Sequence, residues 1–272
     1  MRAVERIRQN PMLVSGLMLV IILVFGSLSG PLLGLAEPSQ HGDLLLDRYK
    51  SPSSENWFGT DKFGRDLFSR VLYGGRISLS IAVSVMLLSL SFGLFYGAFA
   101  AFRGGRTGTL MMRLLDFLLA VPLIFLVIAL LAVTRLNHWY LIPILAFTGW
   151  MESARIVYGE VLSLKKREYV TAARLLGFSD WRVLFVHILP QCLFLAVALA
   201  PLKVAEFVLL ESALSFLGIG VQPPVPSWGN IINDGRSVLF NAWWIATFPG
   251  IFITLTVIGF HMIAKGLQRR LL

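Results

Sequence analysis

Residues 77–102 read ISLSIAVSVMLLSLSFGLFYGAFAAF, a run without a single Asp, Glu, Lys, Arg or His. About 20 apolar residues in a helix cross the ~30 Å hydrocarbon layer of a bilayer, and such a helix satisfies its own backbone polar groups where no water is available. The run is therefore a membrane span. Similar runs lie at 12–36, 110–133, 139–164, 191–218 and 242–264, giving an all-α, polytopic membrane protein with six transmembrane helices. The first run follows Arg2, Arg6 and Arg8 and superficially resembles a signal peptide; at about 25 residues it exceeds a ~7–15-residue signal core and reads as a retained span.

Composition agrees. Of 272 residues, 56% are apolar and 14% charged, against ~45–50% and ~25% in soluble domains. Six spans absorb most of the apolar residues and leave little for a soluble catalytic domain. The expected organisation is a head and first span over 1–36, an extracytoplasmic loop over 37–76, and a core over 77–272 containing a cytoplasmic loop at 165–190.

The net charge of +9 suits cytoplasmic anchoring better than nucleic acid in so apolar a chain. Six spans place both termini on one side. Arg103 and Arg106, then Lys165, Lys166, Arg167, Arg174 and Arg182, and finally Lys265, Arg269 and Arg270 share that side with the head, which makes it cytoplasmic. In 37–76 six basic residues are matched by six acidic ones.

Several chemistries are missing. There is no G-x-x-x-x-G-K-[ST] phosphate loop, so ATP hydrolysis is not expected on this chain, and neither H-E-x-x-H nor G-x-S-x-G occurs. His41, His138, His187 and His261 have no ligand spacing, so no metal site is expected. The lone Cys192 excludes an internal disulfide and reads as a packing residue.

The loop carries the most specific pattern: Glu168-Tyr169-Val170-Thr171-Ala172-Ala173-Arg174-Leu175-Leu176-Gly177, then Phe178-Ser179-Asp180-Trp181-Arg182 and His187-Ile188-Leu189-Pro190. On a helix, Tyr169, Ala172, Ala173 and Leu176 share one face, small enough at the alanines for another surface to approach closely. Gly177 would cap the helix. A membrane-surface helix has the same periodicity.

This pattern resembles the E-A-A-x3-G-x9-I-x-L-P signature of ABC importer permeases, matching at Ala172, Ala173, Gly177, Leu189 and Pro190. Thr171 replaces the signature Glu and His187 the Ile. Further blocks resemble the second, C-type permease of the dipeptide, oligopeptide and nickel branch: Phe58-Gly59-Thr60-Asp61, Gly64-Arg65-Asp66, Ser69-Arg70, Arg76-x-Ser78-Leu79, Arg113 with Asp116 and Pro122, and 211–220 followed by Pro223-Pro224 and Pro226-Ser227-Trp228-Gly229-Asn230. The acidic, proline-containing tail of that branch is absent from this sequence.

The resemblance implies a non-catalytic subunit forming half of a translocation pathway for short peptides. A second permease, two ATPase subunits that bind ATP and Mg, and an extracytoplasmic binding protein would complete the importer. Glu168, Tyr169, Ala172, Ala173, Arg174 and Gly177 would belong to the coupling helix seated on an ATPase, with Ser179 and Arg182 flanking it. No cofactor is expected on the chain itself. A nickel or metal-chelate importer is the alternative within the branch, and an ion-coupled secondary transporter the alternative outside it.

Three charges interrupt the fifth span. An unpaired charge at the bilayer centre costs roughly 2.5–3.5 kcal/mol on insertion scales, so Lys203, Glu206 and Glu211 should face protein or water. Lys203 and Glu206, one turn apart, can pair; all three are candidates for the pathway. Arg113 and Asp116 have the spacing of a local ion pair. Pro122, Pro201 and Pro249 can kink their spans. The external carboxylates and guanidiniums are expected to stitch their own loop, and Trp228 to belong to a stiff external cap at the membrane interface.

Overall fold

A computed structural model describes residues 10–30, 37–40, 42–43, 46–133 and 138–271. Arg2, Arg6, Arg8, His41 and 134–137 lie outside the described residues, as does the 31–36 end of the first apolar run.

Helix α1 (Pro11–Ser29) begins where Asn10 accepts a hydrogen bond from the Leu13 amide, with Pro11 preset for the first turn. Helix α2 (Leu67–Arg103) is N-capped by the Asp66 carboxylate, which accepts from the Ser69 amide at 2.8 Å. It thus starts ten residues before the apolar run, because this cap and the local pairing of Arg70 let a polar first turn join the span. After Gly104, whose φ of 60° is the left-handed region that favours glycine, α3 (Gly105–Leu119) turns back beside α2.

The expected third span is broken. Helix α3 ends before Pro122 and α4 (Leu123–Val133) restarts after it, the two inclined by 78°. Pro122 has no amide to donate and disfavours helical geometry in the residue before it. By contrast, Pro201 and Pro249 lie within unbroken helices.

Helix α5 (Leu141–Leu164) matches the fourth run, α6 (Glu168–Leu175) is the short helix of the loop, and α7 (Asp180–Phe216) enters the fifth span eleven residues earlier than its apolar run through a π-helical segment at Val183–Ile188. Helix α8 (Trp228–Gly235) occupies the last loop, with a capping box between Ser227 and Asn230. Helix α9 (Trp244–Leu271) closes the chain. Among the described residues four helices qualify as spans on length and hydropathy, and the bent α3–α4 pair makes a fifth. Helix α5, with 24 residues but Glu152, Arg155 and Glu160 within it, supplies the sixth.

Helix α2 is central, packed along α5 and α7, while α1 lies on α9. Association within a bilayer depends on close packing, which small residues permit. A Cβ on Gly97 would come within 2.2 Å of the Ala154 carbonyl oxygen, and one on Gly16 within 2.8 Å of Met262 Cβ. One apolar cluster runs from Leu67 and Trp228 through Val85 to Phe207; a second joins Leu94 and Val157 to Val170, Ile188 and buried Cys192.

Candidate functional site

The span break exposes a set of charges. A cavity of about 480 Å³ opens beside Pro122 between α3, α4, α5 and α7, lined by Leu118, Thr148, Glu152, Arg155, Lys203 and Glu206 among others. Lys203 Nζ donates to Glu152 Oε2 at 2.5 Å and to Glu206 Oε2 at 2.8 Å. Its side chain is only 6% exposed, whereas those of Glu152 and Glu206 are 64% and 40% exposed. The ammonium is therefore held inside while both carboxylates open to the cavity.

The expected Lys203–Glu206 pair is present and is widened by Glu152, which lies 51 residues earlier in sequence. The local Arg113–Asp116 pair is not formed. Asp116 accepts instead from Arg155 Nη2, because the end of α3 leans on α5 rather than closing on its own turn. Together the groups carry three carboxylates against two cations, a small negative excess next to an opening. Glu152 and Arg155 were not singled out from sequence; their three-residue spacing within a mostly apolar run is the signal that places both on one helix face.

Glu211 does not line this cavity. It is completely buried, accepting from Ser215 Oγ at 2.6 Å and lying within hydrogen-bonding reach of Ser78, Ser212 and Ser227. This polar knot ties α7 to α2 and to the cap of α8, and it sets Glu211 apart from the cavity that Lys203 and Glu206 line.

Outside the spans, α6 is held by two features. Val170 and Ala173 are buried against Phe102, Leu164 and Val183, and Gly177, at φ 81°, ends the helix. The Gly177 amide donates to Arg174 O at 3.0 Å and the Phe178 amide to Ala173 O at 3.2 Å, the paired bonds of a Schellman cap. Glu168 in the first turn and Arg174 in the last complement the helix dipole.

The four-residue face read from sequence is divided by this packing. Ala173 turns inward, while Tyr169, Ala172 and Leu176 face outward with Leu175, the two leucines 74% and 84% exposed. Ser179 Oγ caps α7 by accepting from the Arg182 amide at 3.3 Å, and the Arg182 guanidinium lies 4.4 Å from the centre of the Phe178 ring. Gly177 and Phe178 thus join α6 to α7 through a short fixed corner. Along α7, Lys203 lies 23 residues beyond Asp180, a distance of roughly 35 Å in a helix.

At the other end, Asp61 pairs with Arg65 at 2.7 Å and with Arg70, and Asp234 receives Lys62 at 2.9 Å and Arg70 at 3.2 Å. The loop before α2 is stitched to itself, as expected, and also to α8. Burial, opposed by Asp61, and the neighbouring Arg70 charge pull the Arg65 guanidinium below its ordinary pKa. Trp228 is not an interfacial residue: it is fully buried, with its indole N–H donating to Val71 O at 2.9 Å.

Residues 92–272 match the family described as binding-protein-dependent transport system inner membrane component. The chain is 38% identical over 98% of its length to the oligopeptide transport system permease protein of Bacillus subtilis (strain 168), covering 87% of that protein. It is 37% identical over 97% of its length to the dipeptide transport system permease protein of the same organism, covering 82%. A putative peptide transport system permease protein of Brucella suis biovar 1 (strain 1330) is 40% identical over 93% of this chain and 84% of its own. With its helical fold and apolar spans, the chain belongs to the family of inner membrane components of binding-protein-dependent transport systems.

Proposed function

We propose that the chain is the non-catalytic, second permease subunit of an ATP-driven ABC importer and forms half of the pathway for short peptides. Two ATPase subunits bind ATP and Mg on the cytoplasmic side, a sister permease completes the pathway, and an extracytoplasmic binding protein delivers the peptide. Both termini and α6 face the cytoplasm, in keeping with the basic residues gathered there.

The observation that carries this reading is the join between two distant features. Helix α6 presents Tyr169, Ala172, Leu175 and Leu176 outward, and its capped corner feeds directly into α7, which carries Lys203 and Glu206 into the cavity. A push on α6 moves the base of α7, and with it the ion cluster. This gives a gate with two arrangements, biased by nucleotide at one end and by substrate at the other. Glu206 and Glu152 meet the amino-terminal ammonium of a passing peptide.

Ala172→Arg tests the docking half. The side chain is exposed, so folding should be retained, and the assembled importer should lose at least tenfold of its co-purifying ATPase subunits. Undiminished recovery of the ATPase with Ala172→Arg would refute docking through this face.

A further inference from the structure

A second concavity shares no lining residue with the ion cluster. It is a groove of about 310 Å³ between α2, α3 and the start of α7, walled by Phe92, Phe95, Phe99, Met111, Trp181 and Phe185 among others. Four of these rings, Phe92, Phe95, Trp181 and Phe185, are about half exposed, so the groove opens sideways from the helix bundle.

Its depth is that of one leaflet. Phe92 lies eleven residues before Arg103, the last residue of α2, which is about 16 Å along a helix and about half of the ~30 Å hydrocarbon layer. The groove therefore runs from near the midplane to the membrane surface.

At the surface end the charge is mainly basic, with Asp180 the acidic neighbour of Lys165. The Arg103 guanidinium stands 5.8 Å from the centre of Phe99, a groove wall, while Lys165 and Arg174 stand 5.7 and 5.8 Å from the centre of Phe102. Lys165 Nζ donates to the carbonyls of Ala101 and Phe102 at 3.0 and 3.1 Å, satisfying the end of α2. Burial and the Arg174 charge pull the Lys165 ammonium below its ordinary pKa, with Asp180 opposing them. Among the described residues Arg103 and Arg174 form no ion pair. An aromatic slot one leaflet deep, ending in unpaired guanidiniums, matches a molecule with an apolar chain and an anionic head.

We propose that this groove is a binding site for an anionic phospholipid, with one acyl chain along Phe92, Phe95, Trp181 and Phe185 and its phosphate on Arg103 and Arg174. The site sits at the corner where α6 joins α7, so a bound lipid braces that corner against α2. Basic pockets between spans recognise anionic headgroups in this way.

The test uses the assembled importer in nanodiscs with phosphatidylglycerol or phosphatidylcholine carrying a photoreactive group on one acyl chain, followed by peptide mapping. Phosphatidylglycerol should label peptides containing 92–99 and 181–185 at least fivefold more than phosphatidylcholine does. Arg103→Gln should bring labelling down to the phosphatidylcholine level, Arg103→Lys should keep more than half of it, and Arg106→Gln, on the neighbouring turn, should leave it unchanged. Equal labelling by the two lipids, or no effect of Arg103→Gln, would overturn the proposal. So would labelling seen only when the chain is separated from its partners, since another subunit would then fill the groove.

Discussion

The two ends of the molecule treat the same chemistry in opposite ways. Outside the spans, Asp61, Arg65 and Arg70 are almost wholly buried and Asp234 is largely so; carboxylate and guanidinium are matched on several sides. Within the spans, Lys203 is buried but its two carboxylate partners are open to a cavity. A buried network of mutually paired charges gains little from them beyond holding elements in one arrangement, yet is costly to break. A cluster with exposed carboxylates keeps capacity for another partner. The first arrangement suits a fixed frame and the second a passage.

Substitutions can sharpen or break this contrast. The largest effect is expected at Asp61→Ala, which leaves two buried guanidiniums without their shared acceptor and should cost roughly 3–5 kcal/mol. Thermal unfolding in detergent and membrane abundance would both fall, and an unchanged melting temperature would end the fixed-frame interpretation. Next is Lys203→Met, which removes the cation between Glu152 and Glu206; peptide uptake is expected to fall about tenfold, on the order of 1.4 kcal/mol, while abundance holds. Glu206→Gln should lower uptake severalfold at normal abundance, and unchanged uptake would reject its role in the pathway. The smallest effect is expected at Arg113→Gln, because Asp116 is already held by Arg155; stability should change by less than about 0.5 kcal/mol.

Much of the architecture could be read from sequence because lipid imposes so simple a rule. Residues 139–164 had to span, and the helix found there, Leu141–Leu164, agrees closely. Where polar residues join a span, the apolar run misleads. Helix α2 starts at Leu67 through the Asp66 cap, and α7 starts at Asp180 through the Ser179 cap. Pro122 signalled a kink, but a bend of 78° depends on how α3 and α4 each pack against neighbours, which local sequence does not encode.

The site divides in the same way. Lys203 and Glu206 were legible as a pair one turn apart, whereas Glu152 and Arg155 join them only through the packing of α5. Asp116 shows the limit of spacing arguments: its partner is 39 residues away rather than three. Glu211 shares a helix with Lys203 and Glu206, but serines from separate elements enclose it away from their cavity. On α6 periodicity found the helix and its glycine stop, but burial of Val170 and Ala173 decides which face is left exposed.

The central claim is that this chain provides a passage driven from outside itself through α6. Uptake of a labelled short peptide into vesicles containing the assembled importer and its binding protein tests it most directly, with ATP and the ion gradient removed in turn. Uptake should stop when ATP is withdrawn and continue when ionophores collapse the gradient. Uptake that continues without ATP and stops with the gradient would contradict the account.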